Sequence, residues 1–289
     1  MAAVKVPKQI PKWTALKLEH LDCYLQGYVQ ATKAAKEIHY IDAFASCGDC
    51  AMRDTGQLVQ GSPWRALNAI PRFSQYHFIE KNRAYATHLK SRIAESRISN
   101  ATIYIGDCNR LLPSEVLPRI PRDVPTFAFL YPDGLQLDWA TVVAVAAHRR
   151  PQRVELLILY PYDMAVKRQF PLAATSSSHR DKLTRFYGTD SWLREYERSV
   201  EDGESTEQRR LRFVQFYREN LLELGYRHVE PYGPMCSNRG PLYHVVFAGD
   251  NDVGVKIMRD VWARPRYVPG ELFYKPLRRP NPTHGEHRG

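Results

Sequence analysis

The stretch QYHFIEKNRAYATHLKSRIAESRISNATIYIGDCN (75–109) decides the fold. QYHFIE (75–80) is a short apolar run that ends in an acid, which reads as a buried strand. The segment from Asn82 to about Glu95 reads as a helix, and ATIYIGD (101–107) as a second strand. The rhythm extends in both directions. HYIDAF (39–44) is an earlier strand, and it runs into a small-residue loop. TFAFLYP (126–132) is a later one, stopped by Pro132 and Gly134, and VELLILYP (154–161) is the fifth. Ser62–Pro63 offers an N-cap followed by proline at the first helical position. Asp138 can cap a helix through about Ala147. Strands that are almost unbroken apolar runs, alternating with helices, predict a parallel sheet covered on both faces.

Beyond residue 164 the rhythm breaks. Residues 165–210 are polar, Arg-rich and helical in pattern, and read as an insertion or cap over the sheet. FVQFYRENLLELGY (213–226) returns as an amphipathic helix. RHVEPY and PLYHVVFAGD (241–250) read as an antiparallel pair, and VGVKIMRDVWA (253–263) as a final helix. At the front, Leu18, Leu21, Leu25 and Tyr28 recur at helical spacing. The domain plan is a basic N-terminal helix region (1–36), a cofactor-binding half (37–164), the helical insertion (165–210), the rest of the sheet domain (211–262) and a basic Pro-rich tail (263–289).

Composition sets outer limits. The chain has 289 residues, 44% of them hydrophobic, which is ample for a core and excludes a wholly disordered chain. No apolar run approaches the ~18–20 residues that span a bilayer, and the basic start MAAVKVPKQIPKW lacks an apolar signal core. Five irregularly spaced cysteines make no disulfide framework. A cytoplasmic protein is the expectation. The net charge of +10 is uneven. Residues 1–36 carry six lysines against Glu19 and Asp22, and residues 263–289 six basic residues against Glu271 and Glu286. If a polyanion binds, the two ends are expected to supply much of the salt-sensitive affinity.

In open α/β sheets, ligands sit outside the carboxyl ends of the strands. Four strand ends carry polar groups. The first has Asp42, Ala43, Phe44 and, through Ser46 and Cys47, Gly48. Small residues there let a backbone approach a ligand closely. The second has Glu80, followed by Lys81; an acid there can accept both hydroxyls of a ribose. The third has Asp107 and Cys108, where an acid can accept from the exocyclic amine of adenine. The fourth has Tyr131–Pro132–Asp133. Gly61 and Ser62 open a helix beside the first loop. The set describes a site for an adenosine-bearing cofactor. Neither G-x-G-x-x-G nor G-x-x-x-x-G-K-[ST] is present, which leaves S-adenosylmethionine, whose sulfonium aromatic faces and carboxylates favour.

In order along the chain stand W-x-x-x-K (13–17), YIDAFASCG (40–48), GSPWRAL (61–67), YHFIEKN (76–82), GDCN (106–109), FAFLYPDGL (127–135) and PLYHVVFA (241–248). This series resembles the three-Cys-motif partner protein family (TcmP). The resemblance covers about residues 13–262. It implies a Rossmann-like class I methyltransferase fold and a partner that bears a three-cysteine motif, not three metal-binding cysteines here. Two departures stand out. Ser46–Cys47 replace the family's Gly–Pro, and Tyr131 and Asp133 swap the places of its Asp and aromatic residue. Cofactor binding is therefore better supported than catalysis.

Three functions compete. The first is methyl transfer to nucleic acid or to an associated protein, with Tyr131, Pro132 and Asp133 facing the acceptor. The second is a non-catalytic binding module of a defence or nucleic-acid-processing complex. The third is a Mg-dependent nuclease that uses Asp42, Glu80 and Asp107. Cys47-x-x-Cys50 is read as unpaired thiols, His244 as a satisfied core histidine, and Arg149–Arg150 and Arg209–Arg210 as solvated helix faces.

Overall fold

A computed structural model of the chain describes residues 6–263; residues 264–289 of the expected basic tail lie outside the described residues. The strands in chain order are β1 (Lys8–Ile10), β2 (His39–Asp42), β3 (Asp49–Met52), β4 (Leu58–Gln60), β5 (Gln75–Glu80), β6 (Ala101–Ile105), β7 (Thr126–Leu130), β8 (Glu155–Tyr160), β9 (His228–Ser237) and β10 (Gly240–Gly249). Seven of them form one sheet in the order β6-β5-β2-β7-β8-β10-β9. Counted within that sheet alone, the order is 3-2-1-4-5-7-6. β2, β5, β6, β7 and β8 pair in parallel. β10 runs antiparallel to both β8 and β9. The fold is thus α/β and Rossmann-like, with the mostly parallel sheet and C-terminal antiparallel pair that the strand runs predict.

The apolar runs are uninterrupted because both faces of the sheet are covered. Alternate side chains of β7 and β8 enter opposite cores. Ala128, Leu130, Leu156, Ile158 and Tyr160 face one core, which helix Trp139–His148 and the helices of the insertion complete. Phe127, Phe129, Leu157 and Leu159 face the other, with the N-terminal helix Lys12–Ala31 and the last helix Asp252–Ala263. Residues 165–210, read from the sequence as an insertion, contain helices Lys167–Ala173, Ser177–Tyr187 and Ser191–Glu201. Their Phe170, Tyr187 and Trp192 share the first core. The following helix starts at Thr206, earlier than residue 213, because Ser205 and Gln208 form a reciprocal capping box that the hydrophobic pattern does not show.

Several local expectations are corrected. Ser62 is the first helical residue rather than the cap, and Gly61 occupies the cap position. Asp138 holds a cap position, but its carboxylate does not cap. Asn109 does the fastening there, accepting from the Asp138 amide and the Thr141 hydroxyl, both at 2.9 Å. Arg210 is not on a solvated face. It is buried and forks onto Asp163, with Nε donating to Oδ2 at 2.6 Å. His244 is buried as expected, yet neither ring nitrogen has a hydrogen-bond partner among the described residues. Burial pushes its pKa down to about 3, so the ring stays neutral and apolar packing accommodates it.

At the start of β8, the carboxyl of buried Glu155 accepts from the Tyr24 hydroxyl. Burial pushes its pKa up to about 7. A carboxyl whose folded pKa exceeds its unfolded value adds stability that is complete below the unfolded pKa and is lost as pH rises through the folded one. Glu155→Gln keeps an acceptor for Tyr24. It is expected to match the wild type near pH 4 and to exceed it at pH 8, by an amount on the order of 2–3 kcal/mol. Denaturant melts at both pH values check this; a difference that does not change with pH contradicts it.

Candidate functional site

A cavity of about 440 Å³ opens at the carboxyl ends of β2, β5, β6 and β7. β2 is the switch point of this sheet, with β5 on one side and β7 on the other, so the crevice forms at its end. Ala43, Phe44, Gly48, Gly61, Ser62, Glu80, Lys81, Asp107, Cys108, Tyr131 and Asp133 all line it. Asp42 and Pro132, also read as site residues, do not.

Asp42 lies wholly buried at the end of β2. One of its oxygens accepts from the Phe44 amide at 3.1 Å, and among the described residues no hydrogen bond of good geometry reaches the other, with the Ser62 hydroxyl close by. Burial pushes its pKa up to about 6, although the Ser62 hydroxyl, the Phe44 amide and Lys17 favour its charge. Its visible work is to shape the loop after β2.

Glu80 is engaged more than a strand-end acid need be. Oε2 accepts from the Ser46 amide at 2.8 Å and Oε1 from the Asn82 amide at 2.6 Å. One carboxylate thus ties the loop after β2 to the loop after β5. Each oxygen keeps a second lone pair for a ligand. Ser46 has φ 58, a left-handed conformation that costs a residue with a Cβ about 1 kcal/mol. The glutamate's hold on its amide offsets that strain. The Ser46 hydroxyl is buried without a partner among the described residues. Lys81 pairs with Asp107 at 2.8 Å rather than with Glu80. Asp107 also caps the following turn through the Asn109 amide at 3.0 Å. Burial works against its charge, but Lys81 and that amide outweigh burial and hold its pKa below the usual range.

At the opposite end of the cavity Tyr131 and Asp133 were read as site residues, but the N-terminal residues that join them were not. β1 pairs in parallel with β3, which antiparallel β4 completes into a three-stranded sheet. This brings Lys8 and Ile10 to the cavity, beside Thr14, Lys17 and Leu18 of the N-terminal helix. Lys8 Nζ stands 3.2 Å from Asp133 Oδ2. Lys17 Nζ lies 3.9 Å from the centre of the Tyr131 ring. Burial, with Lys8 adding to it, pushes the Lys17 pKa down to about 8. Tyr131 presents that ring only: it stacks on Phe129 at 4.6 Å, and its hydroxyl is buried. The available signals for Lys17 were its place in W-x-x-x-K (13–17) and its position on the apolar stripe, one turn before Leu21.

The thiols are passive. Cys47 Sγ donates to the Asp49 carbonyl, and burial pushes Cys50 up to about 11 and Cys108 up to about 12. Neutral thiols of this kind are poor nucleophiles and poor metal ligands. Among the described residues no three His, Cys, Asp or Glu side chains converge as a metal site. Asp42, Glu80 and Asp107 therefore do not form the carboxylate cluster that a Mg-dependent nuclease needs. No helix among the described residues is long and apolar enough to cross a membrane.

No protein-family model matches this chain, and no curated protein matches it in sequence. Solved structures similar to it include a protein from Legionella pneumophila str. Philadelphia 1, at 12% identity and TM-score 0.44, covering 82% of this chain and 84% of that one. An rRNA methylase from Streptococcus thermophilus aligns at 9% identity and TM-score 0.40, over 79% of this chain and 94% of that one. The plantazolicin methyltransferase BamL, solved with SAH, aligns at 9% identity and TM-score 0.40, over 83% and 87%. Likeness at these scores is confined to the outline of the scaffold.

Proposed function

We propose that this chain binds S-adenosylmethionine at the β2–β5–β6–β7 crevice and acts as a methyltransferase. The observation that carries the reading is the pairing of a 3-2-1-4-5-7-6 sheet with a cavity at its switch point, lined by Glu80 at the end of β5 and Asp107 just after β6. The donor set suits the ligand. Glu80 keeps lone pairs for ribose hydroxyls, and Asp107, on the cavity wall, would accept from an adenine amine. Ala43, Phe44, Gly48, Gly61, Ser62, Lys81 and Cys108 form walls. When bound, the cofactor supplies an activated methyl group. The chain's own part is to orient and enclose, with rate gained mainly from proximity.

The finer reading places the chain with the three-Cys-motif partner family, on the ordered motif series from Trp13 to Ala248. The acceptor is then nucleic acid, or a protein that carries the three-cysteine motif, and the basic ends contribute charge. A non-catalytic binding role draws support from the cavity's other end. Asp133 is already paired with Lys8 and the Tyr131 hydroxyl is buried, so the carboxylate that lines this end is not a free base.

Calorimetric titration of folded protein with S-adenosylhomocysteine is expected to give saturable binding. No heat above background at high ligand concentration overturns the cofactor reading. Binding without transfer of a labelled methyl to nucleic acid or protein, in the presence of the partner, supports the non-catalytic role.

A further inference from the structure

Lys17 has no carboxylate within ion-pair distance among the described residues. Its ammonium rests on the Tyr131 ring at 3.9 Å, and it lines the cavity. The charged and titratable groups near it are Asp133, Lys8, Asp42 and Cys50. Each of these is otherwise committed. Asp133 pairs with Lys8. Asp42 is buried at the end of β2, below the cavity wall, and burial keeps Cys50 neutral. A partly desolvated cation with no counter-ion is costly, and a cleft that holds one is arranged for an anion.

The anion's identity follows from where Lys17 stands. Asp107 and Lys81 mark the β6 side of the crevice, and Lys17 and Tyr131 mark the β7 side. Resting on the cofactor reading above, a ligand whose adenosine lies toward Glu80 and Asp107 extends its amino-acid end toward β7. That end carries one carboxylate. A non-transferred anion on a phosphorylated acceptor would need room for several oxygens, and only one unpaired ammonium is present at this end among the described residues.

We propose that Lys17 is the counter-ion of the cofactor's amino-acid carboxylate and so selects the intact cofactor over adenosine thioethers that lack that group. The N-terminal helix is then part of the binding site, and β1 seats it by pairing with β3.

The probes are S-adenosylhomocysteine and its decarboxylated analogue, which lacks only the carboxylate. Wild-type protein is expected to bind the first about 10- to 100-fold more tightly, the worth of one charge-assisted hydrogen bond. Lys17→Met is expected to erase that gap by weakening S-adenosylhomocysteine alone, while Lys17→Arg retains most of it. Equal affinities in the wild type overturn the assignment without recourse to any variant. A gap that survives Lys17→Met in folded protein overturns it too, and points to another carboxylate ligand. If neither probe binds, the cofactor reading fails together with this inference; if both bind equally, only Lys17's role fails.

Discussion

Glu80→Gln is expected to weaken S-adenosylhomocysteine binding by about 100-fold or more, from one charge-assisted hydrogen bond lost to the ligand and one lost in the loop. The carboxylate accepts from the Ser46 amide with one oxygen and from the Asn82 amide with the other. A glutamine has one acceptor oxygen, so its NH₂ must face one of those two N–H groups. The Asn82 amide is exposed, but where the NH₂ faces the part-buried Ser46 amide the loop after β2 is untied. Ser46 then has less to hold it in its left-handed conformation. The loop lines the cavity through Ala43, Phe44, Ala45, Ser46 and Gly48, so losing its position costs affinity beyond the lost ligand contact. Thermal stability is expected to fall by only about 1–3 kcal/mol, the worth of one hydrogen bond to a charged acceptor at a part-buried site. Calorimetry and a thermal melt on the same sample separate the two effects. An affinity within threefold of wild type would show that Glu80 neither orders the loop nor meets the ligand.

Arg210→Met is expected to destabilise the protein by about 3–5 kcal/mol, because it strands the Asp163 carboxylate in the interior. The two side chains are only 9% and 7% exposed. Arg210 comes from helix Thr206–Glu223, and Asp163 follows the end of β8. The pair therefore clamps the helix that closes the insertion against the central sheet. Removing both charges behaves differently. Asp163→Leu combined with Arg210→Met leaves no orphaned charge and is expected to recover most of the loss. Denaturant unfolding of the wild type, the two single variants and the double variant tests this. Single and double variants of equal stability would mean that the lost packing of the Arg210 stem matters and the ion pair does not.

The strands were legible to within a residue or two wherever one rule governed them. QYHFIE spans β5 fully, and HYIDAF, ATIYIGD, TFAFLYP and VELLILYP each contain their strand. All but the edge strand β6 are largely buried on two faces, so each reads as an apolar run, and a polar residue or proline marks its end. The three-residue strands β1 and β4 carry no such pattern. β1 exists because residues about 40 positions away supply its partner, β3, and local periodicity holds no record of that pairing. The burial of Arg210 was hidden for a similar reason. Two adjacent arginines on a helix look solvated until Asp163 arrives from the end of β8.

The site divides along the same line. Glu80, Asp107 and the small-residue loop after β2 follow from the sequence itself, because strand ends can be located from it and ligands gather at strand ends. The sequence also determined the layered α/β scaffold, through the period of its apolar residues. Tertiary structure alone decided that Asp42 sits behind the cavity wall, that Glu80 spends one lone pair of each oxygen on a backbone amide, and that Lys8 and Lys17 come from the N-terminus to face Asp133 and Tyr131. Local pattern reports what a residue's own segment needs. What a charge meets across the fold depends on segments distant in the chain, and at this cavity those segments are β1 and the first helix.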